Sequence, residues 1–197
     1  MYKFLFVLLF SFFAFGQENQ VQLAEDFQKQ LNTEFKDSLH SPLMDEDLAH
    51  FEALDFYPIS EKFIVEATFI RTKKEKVFKM KTSTERTPMY KKYGELHFKI
   101  DEKSFKLNVY QNLELIQKPG FKDYLFLPFS DQTNGNETYI GGRYLDMRIP
   151  KTKTVIINFN KAYNPYCAYN YKYSCPIVPL ENDLDIEIQA GVKKFHD

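Results

Sequence analysis

The sequence predicts a mainly β (α+β) fold, an antiparallel β-barrel or sandwich that is preceded by two N-terminal helices. From residue 63 onward, apolar and polar residues alternate over short runs, as expected for half-buried strands. The chain also contains 20 Phe and 13 Tyr, whose flat rings pack well on pleated faces. The connections between the runs are too short for helical crossovers, which disfavours a parallel sheet.

Residues 1–16, MYKFLFVLLFSFFAFG, have the order of charged, apolar and small residues that is typical of a secretory signal peptide. Ala14 and Gly16 precede an expected cleavage at Gln17. The apolar run of about a dozen residues is shorter than the roughly 20 that cross a bilayer. We therefore expect an exported, soluble protein, periplasmic or extracellular, with a single domain over residues 17–197.

Two helices are expected before the strands. The first has apolar residues at spacings of three and four, which form one face, and Asn19 is its candidate cap. These apolar residues are Ala24, Phe27, Leu31, Phe35 and Leu39. The second helix is expected to begin after Ser41, which is followed by a proline and three acidic residues, and to end before Asp55.

The strands follow from the alternation of apolar residues after Pro58. The predicted strands cover residues 63–69, 76–82, 96–100, 105–109, 124–129, 143–148, 154–159 and 184–190. Charge gives no sign of a nucleic-acid or membrane partner, since 26 Lys and Arg balance 27 Asp and Glu. The basic run from Arg71 to Lys81 contains apolar residues and fits the solvent face of a hairpin.

Two loops stand out, residues 129–146 and 163–184. An acid, an arginine, hydroxyls, amides and aromatic rings in these loops suit recognition of a small polar or carbohydrate-like ligand. The candidate ligand-binding residues are Asp131, Thr133, Thr138, Tyr139, Arg143, Tyr144, Tyr163 and Asn164.

Asp131 and Glu181 are candidate catalytic residues, because two carboxylates can act as an acid/base pair. Whether the chain is an enzyme stays open. The alternative is a non-catalytic structural or interaction module in which the same residues brace the loops. A ligand cleft predicts that Asp131, Tyr139 and Arg143 are partly open around a pocket, whereas bracing predicts that they are buried and paired.

The two cysteines of the chain, Cys167 and Cys175, lie in the tyrosine-rich segment YNPYCAYNYKYSCP, residues 163–176. A disulfide, half of a metal site and a reactive thiol are the three interpretations. An exported chain with an even number of cysteines favours the disulfide, which leaves no thiolate to react. The four histidines lie outside both loops and no zinc-site spacing occurs, so no metal is expected. Phosphate-loop, dinucleotide and serine-hydrolase motifs are absent from the sequence, and no cofactor is expected.

Three stretches resemble the bacterial domain-of-unknown-function family 1684. They are SPLMDEDLAHFEALDFYP, LFLPFSDQTNGNETYIGGRYLD and INFNKAYNPYCAYNYKYSCPIVPLENDLDIEIQAG. The first family motif maps onto Phe129, Asp131, Thr133, Gly135, Thr138, Tyr139, Gly142, Arg143, Tyr144 and Leu145. The second maps onto Asn164, Pro165, Cys167, Ala168, Tyr169, Cys175, Pro176, Glu181, Asn182 and Leu184.

The resemblance implies no activity, because the family is functionally unassigned, but it implies that the two loops belong together. One difference concerns Asp183, since family members commonly have arginine at this position, so the ligand or its affinity could differ here. We therefore expect an exported β-rich protein that binds a small polar ligand between the loops. The structural module is the alternative, and oligomeric state is left open.

Overall fold

A computed structural model of the chain describes residues 7–196, with side chains from residue 19 onward. The expected signal peptide, residues 1–16, lies in part outside the described residues, and its cleavage stays a prediction. Among the helices that are described, none is long and apolar enough to cross a membrane.

The described chain is mainly β. Its helices are α1 (Val7–Lys36) and α2 (Asp45–Leu48). Its strands are β1 (Ile64–Arg71), β2 (Val77–Lys79), β3 (Met89–Ile100), β4 (Lys103–Asn112), β5 (Tyr124–Asp131), β6 (Arg143–Arg148), β7 (Thr154–Asn158) and β8 (Asp183–Leu184).

Six strands form one curled antiparallel sheet, a half-barrel, in the order β6-β5-β4-β3-β1-β7. The short strand β2 extends β3 in the antiparallel sense, and β8 pairs with β5 in parallel. The mainly β, antiparallel prediction is confirmed. The turn between β3 and β4 is tight because Asp101 and Glu102 both adopt positive φ, at 47° and 63°.

The main core lies on one face of the curled sheet. Alternate residues of each strand point towards it, because side chains along a strand alternate between the two faces. Its fully enclosed members include Leu96, Leu107, Val109, Leu125, Leu127, Phe129, Phe159 and Ile188. A second cluster forms where α1 packs on the C-terminal segment, and it includes Phe35, Tyr169 and Val192. Burying a side chain such as Phe35 contributes roughly 1.5–3 kcal/mol.

The opposite face of the sheet carries aromatic residues. Tyr90, Tyr110, Phe126 and Tyr144 are buried there together with Met80. In β5 and β6 they alternate with leucines of the main core. Helix α1 and the segment of residues 163–176 border this aromatic face.

The helix predictions need correction at three positions. Helix α1 runs without a break through Asn19, so this residue is not a cap. Leu39 lies beyond the end of α1 and is 84% exposed, so it does not continue the apolar face. Ser41 does not cap α2 either: its Oγ accepts from the Leu43 N–H at 3.2 Å, and α2 begins only at Asp45 with Met44 at its N-cap position.

The predicted strand over residues 184–190 forms only as the two-residue β8. The physical reason lies in the partners of its backbone. The carbonyls of Ile188 and Ala190 accept from the guanidinium of Arg143 instead of from a neighbouring strand. The guanidinium of Arg143 therefore bonds carbonyls that a neighbouring β-strand would otherwise bond.

Asn182 bridges β4 and β5 at the place where these strands part. The two strands are paired in register at Tyr110 and Phe126. Nearby, Asn182 Oδ1 accepts from the Asn108 N–H at 2.8 Å, and Asn182 Nδ2 donates to the carbonyls of Asn108 and Pro128 at 2.9 and 2.6 Å. Buried backbone groups need such partners. The amide thereby fastens the 163–184 loop to the sheet.

Candidate functional site

Arg143 at the start of β6 and Asp131 at the end of β5 form a fully buried ion pair. Arg143 Nη2 donates to Asp131 Oδ2 at 2.7 Å, and neither side chain has exposed area. The guanidinium also donates to the carbonyls of Ile188 and Ala190. Asp131 Oδ1 accepts from the N–H groups of Thr133 and Ile188 at 3.0 and 3.2 Å. The pair therefore ties the β5–β6 connection to the C-terminal segment.

The turn between β5 and β6 is bonded within itself. Thr133 Oγ1 donates to Asp131 Oδ1 at 2.6 Å and lies 2.8 Å from Thr138 Oγ1. Asn134 Oδ1 accepts from the Asp131 N–H at 2.6 Å. Gly142 has a φ of 84°, and a Cβ there would lie 2.5 Å from a Val178 side-chain carbon and 2.7 Å from the Phe129 carbonyl oxygen. These residues are buried and paired, which is the outcome that the bracing alternative predicts.

The predicted catalytic carboxylates, Asp131 and Glu181, have unlike surroundings. The Asp131 side chain is enclosed, whereas Glu181 is exposed on the short 3-10 turn Leu180–Asn182. A general acid or base has to reach a reacting proton. The enclosed Asp131 carboxylate has no such access, so the geometry favours a structural role for it.

Some of the other predicted site residues are bonded within the protein, and others line an open cavity. Asn164 is buried and donates from Nδ2 to the Lys193 carbonyl at 2.9 Å, and the Tyr144 hydroxyl donates to the Pro176 carbonyl. Tyr139 is half-buried with its hydroxyl 3.9 Å from Cys167 Sγ. Tyr163 lines a cavity, and its hydroxyl donates to a carboxylate that lines the same cavity. Among the eight predicted ligand-binding residues, all of which are described, no other residue does both.

A cavity of about 460 Å³ lies over the aromatic face of β5 and β6, between α1 and the 163–176 segment. We call it the tyrosine-lined cavity. Eight aromatic rings line it, together with the carboxylates of Glu34 and Asp146, and no Lys, Arg or His occurs among the described residues that line it. The rings belong to Phe27, Tyr90, Tyr124, Phe126, Tyr144, Tyr163, Tyr166 and Tyr173.

Asp146 is an exposed carboxylate among the residues that line this cavity. Its Oδ1 accepts from the hydroxyls of Tyr124 and Tyr163 at 2.7 and 2.6 Å. The sheet creates this arrangement, because Tyr124 and Phe126 of β5 share a face with Tyr144 and Asp146 of β6, and Phe126 pairs directly with Asp146. The opposite face of the same two strands supplies leucines to the main core.

Burial and the carboxylates of Asp146 and Glu34 act on the tyrosines that line the cavity. Burial raises the pKa of the Tyr163 hydroxyl well above its ordinary value, and the Asp146 charge raises it further. The pKa of Tyr124 is raised by the same two causes. Burial followed by the Glu34 charge raises the pKa of Tyr166. All three tyrosines therefore remain neutral near neutral pH.

Cys167 and Cys175 are free thiols that lie beside each other. The Cys167 N–H donates to Cys175 Sγ at 3.1 Å. The hydrogen bond from the Cys175 thiol, with those from the hydroxyls of Tyr139 and Ser83, lowers the pKa of Cys167 to about 6, whereas the same contact and burial raise the pKa of Cys175. Cys175 also lines the tyrosine-lined cavity. The predicted disulfide is not formed in this structure and stays a prediction.

A wider depression of about 910 Å³ lies against β1, β3 and β4. Exposed side chains such as Glu66, Thr68 and Lys99 line much of it, as on an ordinary solvated strand face. It lacks the aromatic enclosure of the tyrosine-lined cavity. In the described part of the chain, no three His, Cys, Asp or Glu side chains are grouped so that they could hold a metal ion.

Several residues that line the cavity were not predicted from the sequence. Tyr90, Tyr124 and Asp146 were not predicted as site residues, and neither was Glu34 of α1. A signal for two of them was present, since Tyr124 and Asp146 alternate with core leucines in adjacent predicted strands. The contribution of α1 had no such signal, because only the packing of the helix brings Glu34 to the cavity.

Asp183 stands where the family motif commonly has arginine. Its Oδ1 accepts from the Ser130 hydroxyl at 2.6 Å, and the residue is exposed. It is not among the residues that line the tyrosine-lined cavity. Asp183 therefore belongs to the surface beside β8 and not to the cavity wall.

Comparisons with known proteins agree with this fold. The model of a family described as "Protein of unknown function (DUF1684)" matches residues 49–193. The chain is also similar to the solution NMR structure of an uncharacterised protein from Haloarcula marismortui. The identity is 28% and the TM-score 0.70, over 89% of this chain and 95% of that chain. A comparison with curated proteins produced no match.

Proposed function

The chain belongs to the DUF1684 family of proteins of unknown function, and from that premise we propose that it is an exported protein that binds a small polar ligand in the tyrosine-lined cavity. The observation that carries the proposal is the cavity itself, which lies between the two loops and α1. Its volume of about 460 Å³ falls within the roughly 300–1,000 Å³ that is usual for small-molecule sites.

The composition of the wall also supports a ligand site. Small-molecule sites combine apolar and aromatic walls with a few convergent polar groups. Here the aromatic rings surround the Asp146 carboxylate, whose second oxygen, Oδ2, is not used by the two tyrosine hydroxyls bound to Oδ1. Three of these rings, those of Tyr90, Phe126 and Tyr144, are buried, whereas Asp146 is exposed, so the wall joins an apolar floor to an accessible carboxylate.

The braced residues fit the same proposal. The buried pair of Asp131 and Arg143 and the amide of Asn182 hold the two loops that border the cavity. A purely structural or interaction module is the second candidate, and the burial of this pair favours it for these residues. The two candidates differ in one respect, since only the first requires the cavity to bind a small molecule.

Ligand binding can be tested with a metabolite screen by thermal shift on the mature protein, because a ligand that binds the native state raises its melting temperature. Gln30 of α1 is exposed and lines the cavity, so Gln30→Trp should obstruct it. Gln22 is a matched control: it is exposed on the same helix, and each glutamine donates to the acid four residues later.

A metabolite that raises the melting temperature of the wild-type and Gln22→Trp proteins, but not of Gln30→Trp, would support the proposal. Equal shifts in all three proteins would place binding elsewhere and contradict it. A broad screen without any shift would favour the structural module.

We further propose that export oxidises Cys167 and Cys175 to a disulfide that holds the 163–176 segment. Their proximity supports this, and closing a loop of roughly nine residues would stabilise the fold by about 2.5 kcal/mol in the chain-entropy model. Mass spectrometry of the exported protein under non-reducing conditions tests it together with cleavage at Gln17. Two free thiols or an intact N-terminus would contradict the respective part.

A further inference from the structure

We infer that the ligand of the tyrosine-lined cavity is an organic cation, such as a substituted ammonium compound. This inference rests on the ligand-binding function proposed above and adds the chemical class of the ligand. Three independent features of the wall support it: its charge, the commitment of its hydrogen-bond donors, and its ring faces.

The described residues that line the cavity carry two negative charges and no positive one. Glu34 and Asp146 contribute two carboxylates, and none of the described lining residues is Lys, Arg or His. Both carboxylates act on the rings around them, since Asp146 raises the pKa of Tyr163 and Glu34 raises that of Tyr166, in each case after burial. A cation entering this space therefore gains Coulomb energy, whereas an anion is repelled.

Most hydrogen-bond donors in the wall are already bonded within the protein. The hydroxyls of Tyr124 and Tyr163 donate to Asp146, and the hydroxyl of Tyr144 donates to a backbone carbonyl. The Gln30 amide donates to Glu34 at 2.8 Å. These donors are therefore not free for a ligand, whereas the carboxylates of Glu34 and Asp146 and the ring faces are available.

Ser174, another lining residue, is committed in the same way, because its hydroxyl donates to Thr82 Oγ1 at 3.0 Å. A sugar presents many hydroxyls and needs donors as well as acceptors, and a carboxylate ligand needs donors or a base. An ammonium group has no acceptor capacity: with N–H bonds it only donates, and a quaternary one neither donates nor accepts, so it requires no donor from the wall.

The ring faces supply the third feature. Aromatic faces attract cations, and cages of aromatic residues are a known way to bind substituted ammonium groups. Two lysines outside the lining already use rings of this wall: Lys172 Nζ lies 5.1 Å from the centre of the Tyr173 ring, and Lys161 Nζ lies 5.6 Å from that of Phe27. The interior of the cavity offers further rings around the Asp146 carboxylate.

The test compares choline with its neutral carbon analogue, in which a tert-butyl group replaces the trimethylammonium group. The two have nearly the same shape and differ in charge. Glucose and acetate complete the set, and binding is measured by calorimetry on the mature protein. We expect choline to bind at least about tenfold more tightly than the neutral analogue.

Two variants report on the carboxylates. Glu34→Gln should weaken choline binding by about threefold or more without affecting the fold, because Glu34 is exposed on α1. Asp26→Asn is the matched control: Asp26 is an exposed acid on the same helix that also accepts from a glutamine four residues earlier, and it does not line the cavity. Asp146→Asn should weaken binding as well, because it removes the other carboxylate of the wall.

Equal binding of choline and its neutral analogue would overturn the cation inference and leave the ligand-binding proposal intact. Binding of glucose or acetate without choline would have the same meaning. If none of the four probes binds, the inference fails, and the metabolite screen with Gln30→Trp decides separately whether the cavity binds another ligand. An equal loss of choline binding in Glu34→Gln and Asp26→Asn would also contradict the inference.

Discussion

Arg143→Met should destabilise the protein far more than any exposed charge does. The substitution leaves the enclosed Asp131 carboxylate without its cation, removes the donor to the Ala190 carbonyl and removes one of the two donors to the Ile188 carbonyl. Removing one partner of a buried ion pair typically costs about 3–5 kcal/mol, out of a total stability of roughly 5–15 kcal/mol for a domain. We therefore expect a loss of about 3–5 kcal/mol in the free energy of unfolding.

Arg148→Met is the matched control, because Arg148 lies in the same strand and also pairs with an aspartate. Its Nη1 lies 2.8 Å from Asp123 Oδ1, but the two side chains are 55% and 57% exposed. Exposed pairs contribute about 0–1 kcal/mol, so this variant should stay close to the wild type. The comparison separates the effect of burial from the loss of an arginine.

The assay is urea unfolding followed by far-UV circular dichroism, since the chain has no tryptophan for fluorescence. The double variant Asp131→Asn with Arg143→Met should lose less than the sum of the two single losses, by about 1–3 kcal/mol, because the unpaired charge is removed as well. If Arg143→Met costs no more than Arg148→Met, the buried pair does not brace the loops, and the reasoning is refuted.

Three further predictions concern other parts of the molecule. Gly142→Ala should cost about 1–3 kcal/mol of stability in the same urea assay, because of positive φ and a backbone oxygen 2.7 Å from the new Cβ; Gly120→Ala, where φ is also positive but the space is open, should cost less. In the reduced protein, iodoacetamide should alkylate Cys167 with a midpoint near pH 6, and Cys175→Ala should raise that midpoint towards about 8.5; an unchanged midpoint would contradict the contact between the thiols. Hydrogen bonds from a lysine and a histidine lower the pKa of Glu95 from 4.5 to about 2. The ionised Glu95 therefore stabilises the folded protein above pH 4.5, and this contribution is lost as the pH falls towards 2. Glu95→Gln should flatten the dependence of unfolding free energy on pH over this window, and an unchanged profile would disprove the assignment.

The alternation of apolar residues was sufficient to predict most strands. Residues such as Leu125 and Leu127 of β5, or Leu145 of β6, face the core at every second position, and this period is a local property of the chain. The apolar face of α1 was also predicted from the spacing of its residues, and Ala24, Leu31 and Phe35 are buried there. The predictions failed where a tertiary partner decided the outcome, as in the 184–190 segment.

The site was predicted less well than the fold. Sequence reasoning selected the two loops, and both border the cavity, but most of the selected polar residues in the first loop are enclosed braces. Asp131 and Arg143 have the residue types of a binding site, and composition alone does not distinguish a buried pair from an exposed one. Of the predicted ligand-binding residues, Tyr144 and Tyr163 line the cavity, and their role in binding a ligand stays a prediction.

The sequence by itself determined the mainly β class, the position of α1 and the two loops, because these depend on periodicities within a few neighbouring residues. Only the tertiary structure decided that Asp131 and Arg143 are enclosed and that Glu34, Tyr124 and Asp146 share one cavity. The physical reason is that burial and electrostatic environment arise from segments distant in sequence. A helix from the N-terminus, two central strands and a C-terminal loop had to meet before the charge of the cavity was defined.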